Sequence, residues 1–332
     1  MEGASQEVSI IITAFNNADT FPDCFSSLVG QTYPFKEIVV VCDRSSSDET
    51  EKVVDSVVRS FEYSRVVKCN NVGRSRARNI GWQSVSSPIV MFADGDDMYE
   101  KTYVEKAAGA LQNKPAVGGV CLGGKALTKD CSILSRYYEA YGATDARVGD
   151  RSGSEPDWAW VYRRDCIVEV KGFDEGLAQA EDKDLCARVK KAGYRIAYVG
   201  GTNWYRRKPE RVGIFLKKEY LGGKRRVVYE LRNNEYRSLL MNVVPAVFLI
   251  IVLVSTPVLG ALYSLLVLLA GLSAYGLFSV ERLSGRGFGG EVFWFLGLGI
   301  SGRLASSVGS LYGLFILGLR RVKVVRVDLG RF

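Results

Sequence analysis

The fold of this chain is decided by a stretch in its first third, SPIVMFADGDD (residues 87–97). The apolar run from Ile89 to Ala93 predicts a buried strand, which ends at three carboxylates, Asp94, Asp96 and Asp97. Like charges this close need a counter-charge, and hard divalent cations prefer carboxylate oxygens. Open α/β sheets bind ligands beyond the carboxyl ends of their strands. On this motif alone, an acidic turn without a ligand is an equal alternative.

Strand and helix patterns alternate on both sides of this stretch. Apolar runs predict strands at 8–12, 38–42 and 63–68, and helical spacing predicts helices at 19–28, 50–61 and 75–85. This alternation favours a mainly parallel α/β sheet with right-handed crossovers. Beyond residue 98 the pattern weakens to strands at 118–122, 158–162 (an edge strand) and 194–199, with helices at 132–141 and 184–191. The first strand leads into Thr13–Asn17 without a GxGxxG, and the chain contains no GxxxxGK[ST], so a Gly-rich loop is not expected to hold the nucleotide.

Length and composition narrow the classes of protein. The 332 residues allow two or three domains, and the net charge is +8. Basic clusters at 217–237 and 320–331 flank the most apolar segment, which favours anionic lipid headgroups over nucleic acid as a partner, with a plain solvated face as the alternative. The seven cysteines lack metal-ligand spacing and indicate buried residues in a reducing compartment.

The sequence lacks histidine and a signal-peptide pattern, and these two absences exclude further kinds of active site and guide the expected location. The sequence contains no histidine, which removes Ser-His-Asp catalysis, Cys-His catalysis and histidine metal sites. Residues 1–7 have neither a basic region nor an apolar core, so they are not expected to form a signal peptide. We therefore expect the part that follows them to stay in the cytosol.

Six motifs in a fixed order carry a family resemblance. They are IIITAFNN (10–17), EIVVVCDRSSSD (37–48), NVGRSRARNIG (71–81), DGDD (94–97), KGFDE (171–175) and ED (181–182). Each motif alone is weak, but the order and spacing over about 200 residues are specific. The chain resembles the family 2 glycosyltransferases of the GT-A fold. The resemblance implies a GT-A domain over residues 1–213 that moves a sugar from a nucleotide-sugar donor, most often a UDP-sugar, to an acceptor with inversion.

The resemblance also assigns roles to individual residues. It implies that Thr13 and Asp43 hold the nucleobase, that Asp94 binds the ribose and that Asp96 holds the Mg²⁺ or Mn²⁺ that bridges the diphosphate. Arg78 would neutralise or orient the charge of the donor, and the alternative is a cation on the helix surface. Such a metal stabilises the leaving diphosphate as negative charge builds on it. Asp97 is expected either to support these groups from behind or to cap the next turn.

Asp182 is the candidate general base. An acceptor hydroxyl must lose its proton as it attacks the anomeric carbon, and one positioned carboxylate suffices. The alternative is that Asp182 caps the following helix, a position that suits aspartate. Glu181 would orient Asp182 at the acceptor site or face solvent. Trp158 and Trp160 would line the acceptor site or be ordinary core aromatics, and the sequence does not separate the two.

The chain departs from the family pattern in two places. The family often carries a histidine near the position of Trp204, and its absence puts a third protein ligand to the metal in doubt. The QxxRW signature of processive polysaccharide synthases is also absent. This absence favours the transfer of one sugar per turnover.

The C-terminal third indicates membrane attachment. Residues 238–280 contain no charge, and as one helix they would span about 65 Å, twice the roughly 30 Å of a hydrocarbon core. We therefore predict a helical hairpin (239–256 and 258–280) that turns near Pro257, with a third segment at 292–319, within a transmembrane region over 238–320. Residues 214–237 are predicted to form a basic interfacial helix, and 321–332 a basic tail.

The third segment leaves the topology open. It contains Arg303, and a full span would put the basic tail outside, against the positive-inside tendency. A broken or re-entrant segment at Arg303 would keep the tail inside. The small residues of this segment, among them Gly302, Ser306 and Gly309, allow close helix packing, so association of two copies through these helices is also left open.

Together these patterns predict a multi-pass membrane protein with a cytosolic catalytic domain. It would transfer one sugar to a lipid-linked glycan acceptor, using Mg²⁺ or Mn²⁺. A polyprenyl-phosphate acceptor, which needs no base, is the first alternative. A polysaccharide synthase and a non-catalytic membrane scaffold are the others.

Overall fold

A computed structural model describes residues 7–112, 114–127, 134, 136–138, 156, 158–207, 211–259 and 292–322. The chain divides into two compact units, the first built mainly from residues up to 127 and from 143 to 207, the second mainly from residues 128–142 and 208–328. The helix expected at 132–141 lies mostly outside the described residues.

The first unit contains eight strands and six helices among the described residues. The strands are β1 Val8–Ala14, β2 Glu37–Asp43, β3 Ser64–Cys69, β4 Ile89–Asp94, β5 Asp97–Tyr99, β6 Val117–Leu127, β7 Val161–Arg163 and β8 Arg195–Arg207. The helices are α1 Phe21–Val29, α2 Thr50–Val58, α3 Arg74–Gln83, α4 Tyr103–Leu111, α5 Arg164–Glu169 and α6 Glu181–Lys191.

All eight strands form one sheet in the order β3-β2-β1-β4-β7-β6-β8-β5. The first four strands along the chain pair in parallel, as the sequence predicts. Thr13 lies opposite Asp94 on one side and Val41 on the other, so the carboxyl ends of β1, β2 and β4 meet at one edge. Polar residues that end these strands can therefore build a common site.

The core occupies both faces of this sheet. Ile10 and Ile12 point into a cluster with α1, α2 and α4, whereas Ile11 points into a second cluster with α3, α5 and α6. Burial on both faces explains why β1, β2 and β4 are continuous apolar runs rather than alternating ones.

The second half of the sheet differs from the prediction. We expected an edge strand at 158–162, but only Val161–Arg163 is strand, and it pairs antiparallel with β4 and with β6. It therefore lies inside the sheet, and Tyr162 is buried because both faces are covered. β5, α4 and α5 were not predicted. The last strand extends to Arg207, eight residues beyond the predicted end at 199.

The described part of the second unit contains three long helices. They are α7 Val212–Arg232, α8 Tyr236–Leu259 and α9 Val292–Val322. α7 and α9 are in backbone contact, because a Cβ at Gly223 would overlap the carbonyl of Ser306 and a Cβ at Gly309 would overlap the carbonyl of Tyr220. The predicted close packing of small residues therefore occurs within the chain, between α9 and α7.

Two segments of this unit are long and apolar enough to cross a membrane, judged by length and composition: Tyr236–Val254 and Leu298–Leu317. α8 continues through Pro257 to Leu259, so the helix does not end where the hairpin turn was predicted. The rest of the second predicted arm, 260–280, lies outside the described residues. α9 is one unbroken helix through Arg303, which corrects the alternative of a break there.

Candidate active site

Asp94 ends β4, and both of its carboxylate oxygens are bound. Arg78 Nη2 donates to Oδ1 at 2.6 Å, and Arg206 Nη2 donates to Oδ2 at 2.7 Å. Thr13 Oγ1, from the neighbouring strand tip, lies 3.4 Å from Oδ1. Burial would raise the pKa of Asp94, but the two guanidinium groups outweigh it and hold the pKa well below its usual range. Asp94 is therefore an ionised, rigidly held carboxylate.

Arg78 lies inside the protein. Its side chain is fully buried, with the guanidinium carbon 5.0 Å from the centroid of the Trp160 ring and 5.4 Å from that of Phe173. Nη1 donates to Glu181 Oε1 at 2.7 Å, and Nε has no hydrogen-bond partner among the described residues. The sequence placed Arg78 against the donor, whereas this guanidinium is closed off from solvent. It joins the tip of β4 to the start of α6.

Glu181 begins α6 and is 2% exposed. Arg74 Nη1 also donates to its Oε1, at 3.3 Å. Burial would raise the pKa of Glu181, but Arg74 and Arg78 outweigh it and lower the pKa. Glu181 therefore does not face solvent, because its carboxylate is buried and binds two arginines.

Asp182 is the next residue and behaves differently. It is partly exposed, and burial together with the charge of Glu181 raises its pKa, although Arg78 opposes the shift. The N-cap position belongs to Ala180, with φ of 62°, so Asp182 does not cap the helix. A carboxylate with a raised pKa beside an ion-pair network is a candidate base.

Two of the family motifs, residues 71–81 and residues 171–175, are joined by hydrogen bonds. Asn79 Nδ2 donates to the carbonyl of Phe173 at 3.0 Å, and the Phe173 amide donates to Asn79 Oδ1 at 2.9 Å. Gly172 adopts φ of +70°, and a Cβ there would lie 2.6 Å from Asn79 Oδ1. This clamp fixes α3 against the turn that leads to α6.

Asp97 and Arg206 form a cross-strand pair, because β5 pairs antiparallel with β8 and brings them directly opposite each other. Arg206 Nε donates to Asp97 Oδ1 at 2.6 Å and Nη2 donates to Oδ2 at 2.7 Å. Burial raises the pKa of Asp97 to about 7 in spite of this arginine. Asp97 therefore does not cap a turn. It is a strand residue that supports the acidic cluster from behind, the first of the two predicted alternatives.

Asp96 is the open carboxylate of the cluster, with a side chain 36% exposed and Arg206 Nε 3.8 Å away. Each residue of the group Asp94, Asp96 and Asp97 offers one oxygen, and these oxygens lie within 4.8 Å of one another. An all-oxygen set fits Mg²⁺ or Mn²⁺, and Asp96 gives such an ion access from solvent. Arg206, however, already binds two of the three carboxylates.

The tips of β1 and β2 form the other part of the site. Asp43 Oδ1 accepts hydrogen bonds from the amide and hydroxyl of Ser45 and from the Asn71 amide, and Oδ2 accepts one from the Val72 amide. Burial would raise the pKa of Asp43, but these hydrogen bonds outweigh it and lower the pKa. Phe15, which follows the tip of β1, is 52% exposed, and our sequence analysis missed it. Its signal was an aromatic residue between a strand end and a polar turn.

The two candidate acceptor tryptophans occupy different surroundings. Trp160 is 7% exposed and covers Arg78, as a core aromatic would. Trp158 is partly exposed and packs edge-on against Trp204, with ring centroids 6.5 Å apart. Of the two, only Trp158 has a surface available to a ligand.

Comparisons with known proteins agree with the fold and site. Residues 9–169 match the family model described as Glycosyl transferase family 2, and residues 158–278 match the one described as Glycosyl transferase family group 2. The chain therefore contains a family 2 glycosyltransferase domain, as the sequence motifs predict.

The solved mannosyltransferase PcManGT from Pyrobaculum calidifontis, in complex with GDP-Man and Mn²⁺, superimposes with a TM-score of 0.64 at 17% identity. The match covers 93% of this chain and 88% of that one. This likeness confirms the predicted α/β GT-A fold, followed by C-terminal helices.

The sequence matches to curated relatives cover only part of each protein. The chain is 28% identical over 179 residues to the uncharacterized glycosyltransferase YibD of Escherichia coli, which covers 51% of this chain and 52% of that protein. It is 27% identical over 217 residues to the probable glycosyltransferase YdaM of Bacillus subtilis, and this match covers 61% of this chain and 51% of that protein. The chain thus spans about half the length of these relatives.

Proposed function

We propose that this protein is a membrane-bound inverting glycosyltransferase that transfers one sugar from a nucleotide-sugar, with a UDP-sugar as first choice, to a lipid-linked glycan. The observation that carries the proposal is the buried Arg78, which binds the strand-tip carboxylate Asp94 and also Glu181, the residue directly before Asp182. One ion-pair network thus connects the proposed donor site with the proposed base.

The donor would bind along the edge formed by the tips of β1, β2 and β4. Thr13 and the pre-organised carboxylate Asp43 offer polar contacts for a nucleobase, and the exposed ring of Phe15 offers a stacking surface. Asp94 would accept hydrogen bonds from the ribose. Buried Arg78 would act as a positioning residue for Asp94.

The metal would be held by Asp96, with Asp94 as a further oxygen ligand and Asp97 supporting both from behind. When bound, Mg²⁺ or Mn²⁺ would neutralise the diphosphate that leaves. The structure of PcManGT, which contains both GDP-Man and Mn²⁺, is consistent with this role.

The transfer step needs one proton acceptor. The acceptor oxygen attacks the anomeric carbon while the bond from that carbon to the diphosphate oxygen breaks, and the hydroxyl proton passes to an oxygen of Asp182. The raised pKa of Asp182 makes it a better base than an ordinary aspartate. A polyprenyl phosphate is already ionised and needs no base, so a raised-pKa aspartate favours a hydroxyl acceptor.

Membrane attachment would come from the helices after residue 211. The exposed side chains of α8 are almost all apolar, among them Leu240, Ile250, Leu253 and Val254, each at least half exposed. The basic residues of α7 suit anionic headgroups. We propose a cytosolic catalytic domain, on the side where nucleotide-sugars and reduced cysteines are found.

A donor screen tests the proposal. Full-length protein with Mn²⁺ and membrane lipid extract is given UDP- and GDP-sugars in turn, and release of nucleotide is measured with and without EDTA. We expect release with one donor, dependent on extract and metal, and a product enlarged by one sugar. A ladder of products would favour the polysaccharide synthase, and transfer to purified polyprenyl phosphate would favour the first alternative. No turnover of any donor, even by slow hydrolysis, would favour the scaffold.

A further inference from the structure

The side chain of Arg206 lies where a cation is expected. Its Nε and Nη2 bind both oxygens of Asp97, and Nη2 also binds Asp94 Oδ2 at 2.7 Å. Nε is 3.8 Å from Asp96 Oδ1, so one guanidinium group faces all three carboxylates of the cluster. The side chain is only 19% exposed, and its guanidinium carbon is 5.1 Å from the centroid of the Trp204 ring.

The backbone holds Arg206 in this position. Asp97 and Arg206 are direct neighbours across the β5–β8 pairing, so the contact is built into the sheet register. A guanidinium fork matches a carboxylate with two parallel hydrogen bonds, which a surface ion pair seldom achieves. The Trp204 ring, two residues earlier on the same strand, packs under the fork and limits its movement.

We propose that Arg206 is a built-in counter-ion of the acidic cluster and competes with the divalent cation for it. Both oxygens of Asp97 and Oδ2 of Asp94 already accept hydrogen bonds from Arg206, and a divalent cation bound to this cluster would repel the guanidinium beside it. The metal therefore binds weakly alone and tightly only together with a nucleoside diphosphate, whose own negative charge offsets the second cation. This inference rests on the proposed function and adds an order of binding to it.

Direct measurement of Mn²⁺ binding tests the competition without any turnover. Full-length protein in detergent is titrated with Mn²⁺, and free Mn²⁺ is followed by its electron paramagnetic resonance signal, with and without UDP. Arg206→Met removes the charge and keeps much of the stem. We expect Arg206→Met to bind Mn²⁺ without UDP at least tenfold more tightly than the natural protein.

Arg207→Met is the matched control. Arg207 is the adjacent residue, but it pairs with Asp23 rather than with the cluster, so its removal changes the net charge equally. We expect its Mn²⁺ affinity to equal that of the natural protein. UDP should strengthen Mn²⁺ binding to the natural protein by a larger factor than to Arg206→Met, and Mn²⁺ should strengthen UDP binding by the same factors, because coupling is reciprocal.

Equal Mn²⁺ affinity in Arg206→Met and the natural protein overturns the competition while leaving donor binding, measured with UDP, untouched. Mn²⁺ that binds no form even with UDP overturns both the competition and the proposed metal role. If Arg206→Met does not fold, Arg206→Gln decides. It removes the positive charge and keeps a hydrogen-bond donor for Asp97, so an unchanged Mn²⁺ affinity in that variant overturns the proposal.

Discussion

Arg78 shows how one side chain organises the site without reaching solvent. Arginine is almost never fully buried unless it is paired, and here two carboxylates and two aromatic rings surround its guanidinium. An enclosed charge of this kind holds both carboxylates in place, because a buried carboxylate without its arginine would strongly destabilise the folded protein. The positions of Asp94 and Glu181 therefore depend on a residue that is closed off from solvent.

Arg78→Met should lower the free energy of unfolding by about 3–5 kcal/mol, because it leaves two carboxylates facing a vacated space. Arg76→Met is the control, since Arg76 is 60% exposed and 4.0 Å from Glu175, and such pairs contribute roughly 0–1 kcal/mol. Denaturation of the full-length protein in detergent, followed by tryptophan fluorescence, measures both. Equal costs would show that the burial of Arg78 contributes nothing.

Asp182→Asn should lower the rate of transfer by about 10²–10⁴-fold, because the amide cannot accept the acceptor proton. UDP affinity should change little, since Asp182 is proposed to act on the acceptor side. Initial rates and calorimetric UDP titrations check the two statements. Full activity in this variant would remove Asp182 from the mechanism and favour an acceptor that is already ionised.

The pH dependence of the rate should follow the raised pKa of Asp182. A base acts when deprotonated, so the rate falls as pH falls through its pKa, and here the fall begins at a higher pH than for an ordinary aspartate. The profile of kcat/KM against pH measures this limb. In Asp182→Asn the residual rate should lack it, and an identical limb there would assign the titration to another group.

At the scale of elements, the sequence reveals the parallel half of the sheet better than the rest. β1, β2 and β4 are buried on both faces, and their continuous apolar runs are visible without any partner. β7 has three residues, and its partners lie about 40 and 70 residues earlier in the chain, so no local period identifies it.

Some residues of the candidate site could likewise be predicted from the sequence, and others could not. The residues that end strands, such as Thr13 and Asp94, could be found from their positions after apolar runs. The pairing of Asp97 with Arg206 joins residues 109 positions apart, and the burial of Arg78 depends on rings from Trp160 and Phe173. Contacts over such distances depend on the sheet order, which the sequence does not supply.

The turn between α5 and α6 provides a prediction at this scale. Gly172→Ala should destabilise the protein more than Gly193→Ala, although both glycines have positive φ and share a backbone penalty of roughly 1–2 kcal/mol. A Cβ at Gly172 meets Asn79 and Trp82, whereas one at Gly193 has open space. Thermal unfolding of both variants measures the difference. Equal melting temperatures would mean that Asn79 and Phe173 can move to make room for the Cβ at Gly172 without loss of stability.

For the whole molecule, the contact of α7 with α9 is the feature of the second unit that can be tested most directly. Gly223→Ala should lower the melting temperature in detergent, because its Cβ would overlap the Ser306 backbone. Gly222→Ala, one residue away with open space around it, should be neutral or gain up to about 1 kcal/mol from helix propensity. Similar melting temperatures for the two variants would argue against direct backbone contact between the helices.

That same contact restricts how the molecule can sit in a lipid bilayer. Gly302, Gly309 and Gly313 of α9 touch α7 in turn from Phe215 to Lys224, so the two helices run side by side in the same direction and share one depth. α7 carries six lysines and arginines, each costing about 2.5–3.5 kcal/mol at the centre of a hydrocarbon layer. If α9 lay in the hydrocarbon layer, the basic side chains of α7 beside it would lie there too. If the protein is membrane-bound as proposed, the pair of α7 and α9 suits the headgroup region, and α8 is left as the helix that crosses the hydrocarbon layer.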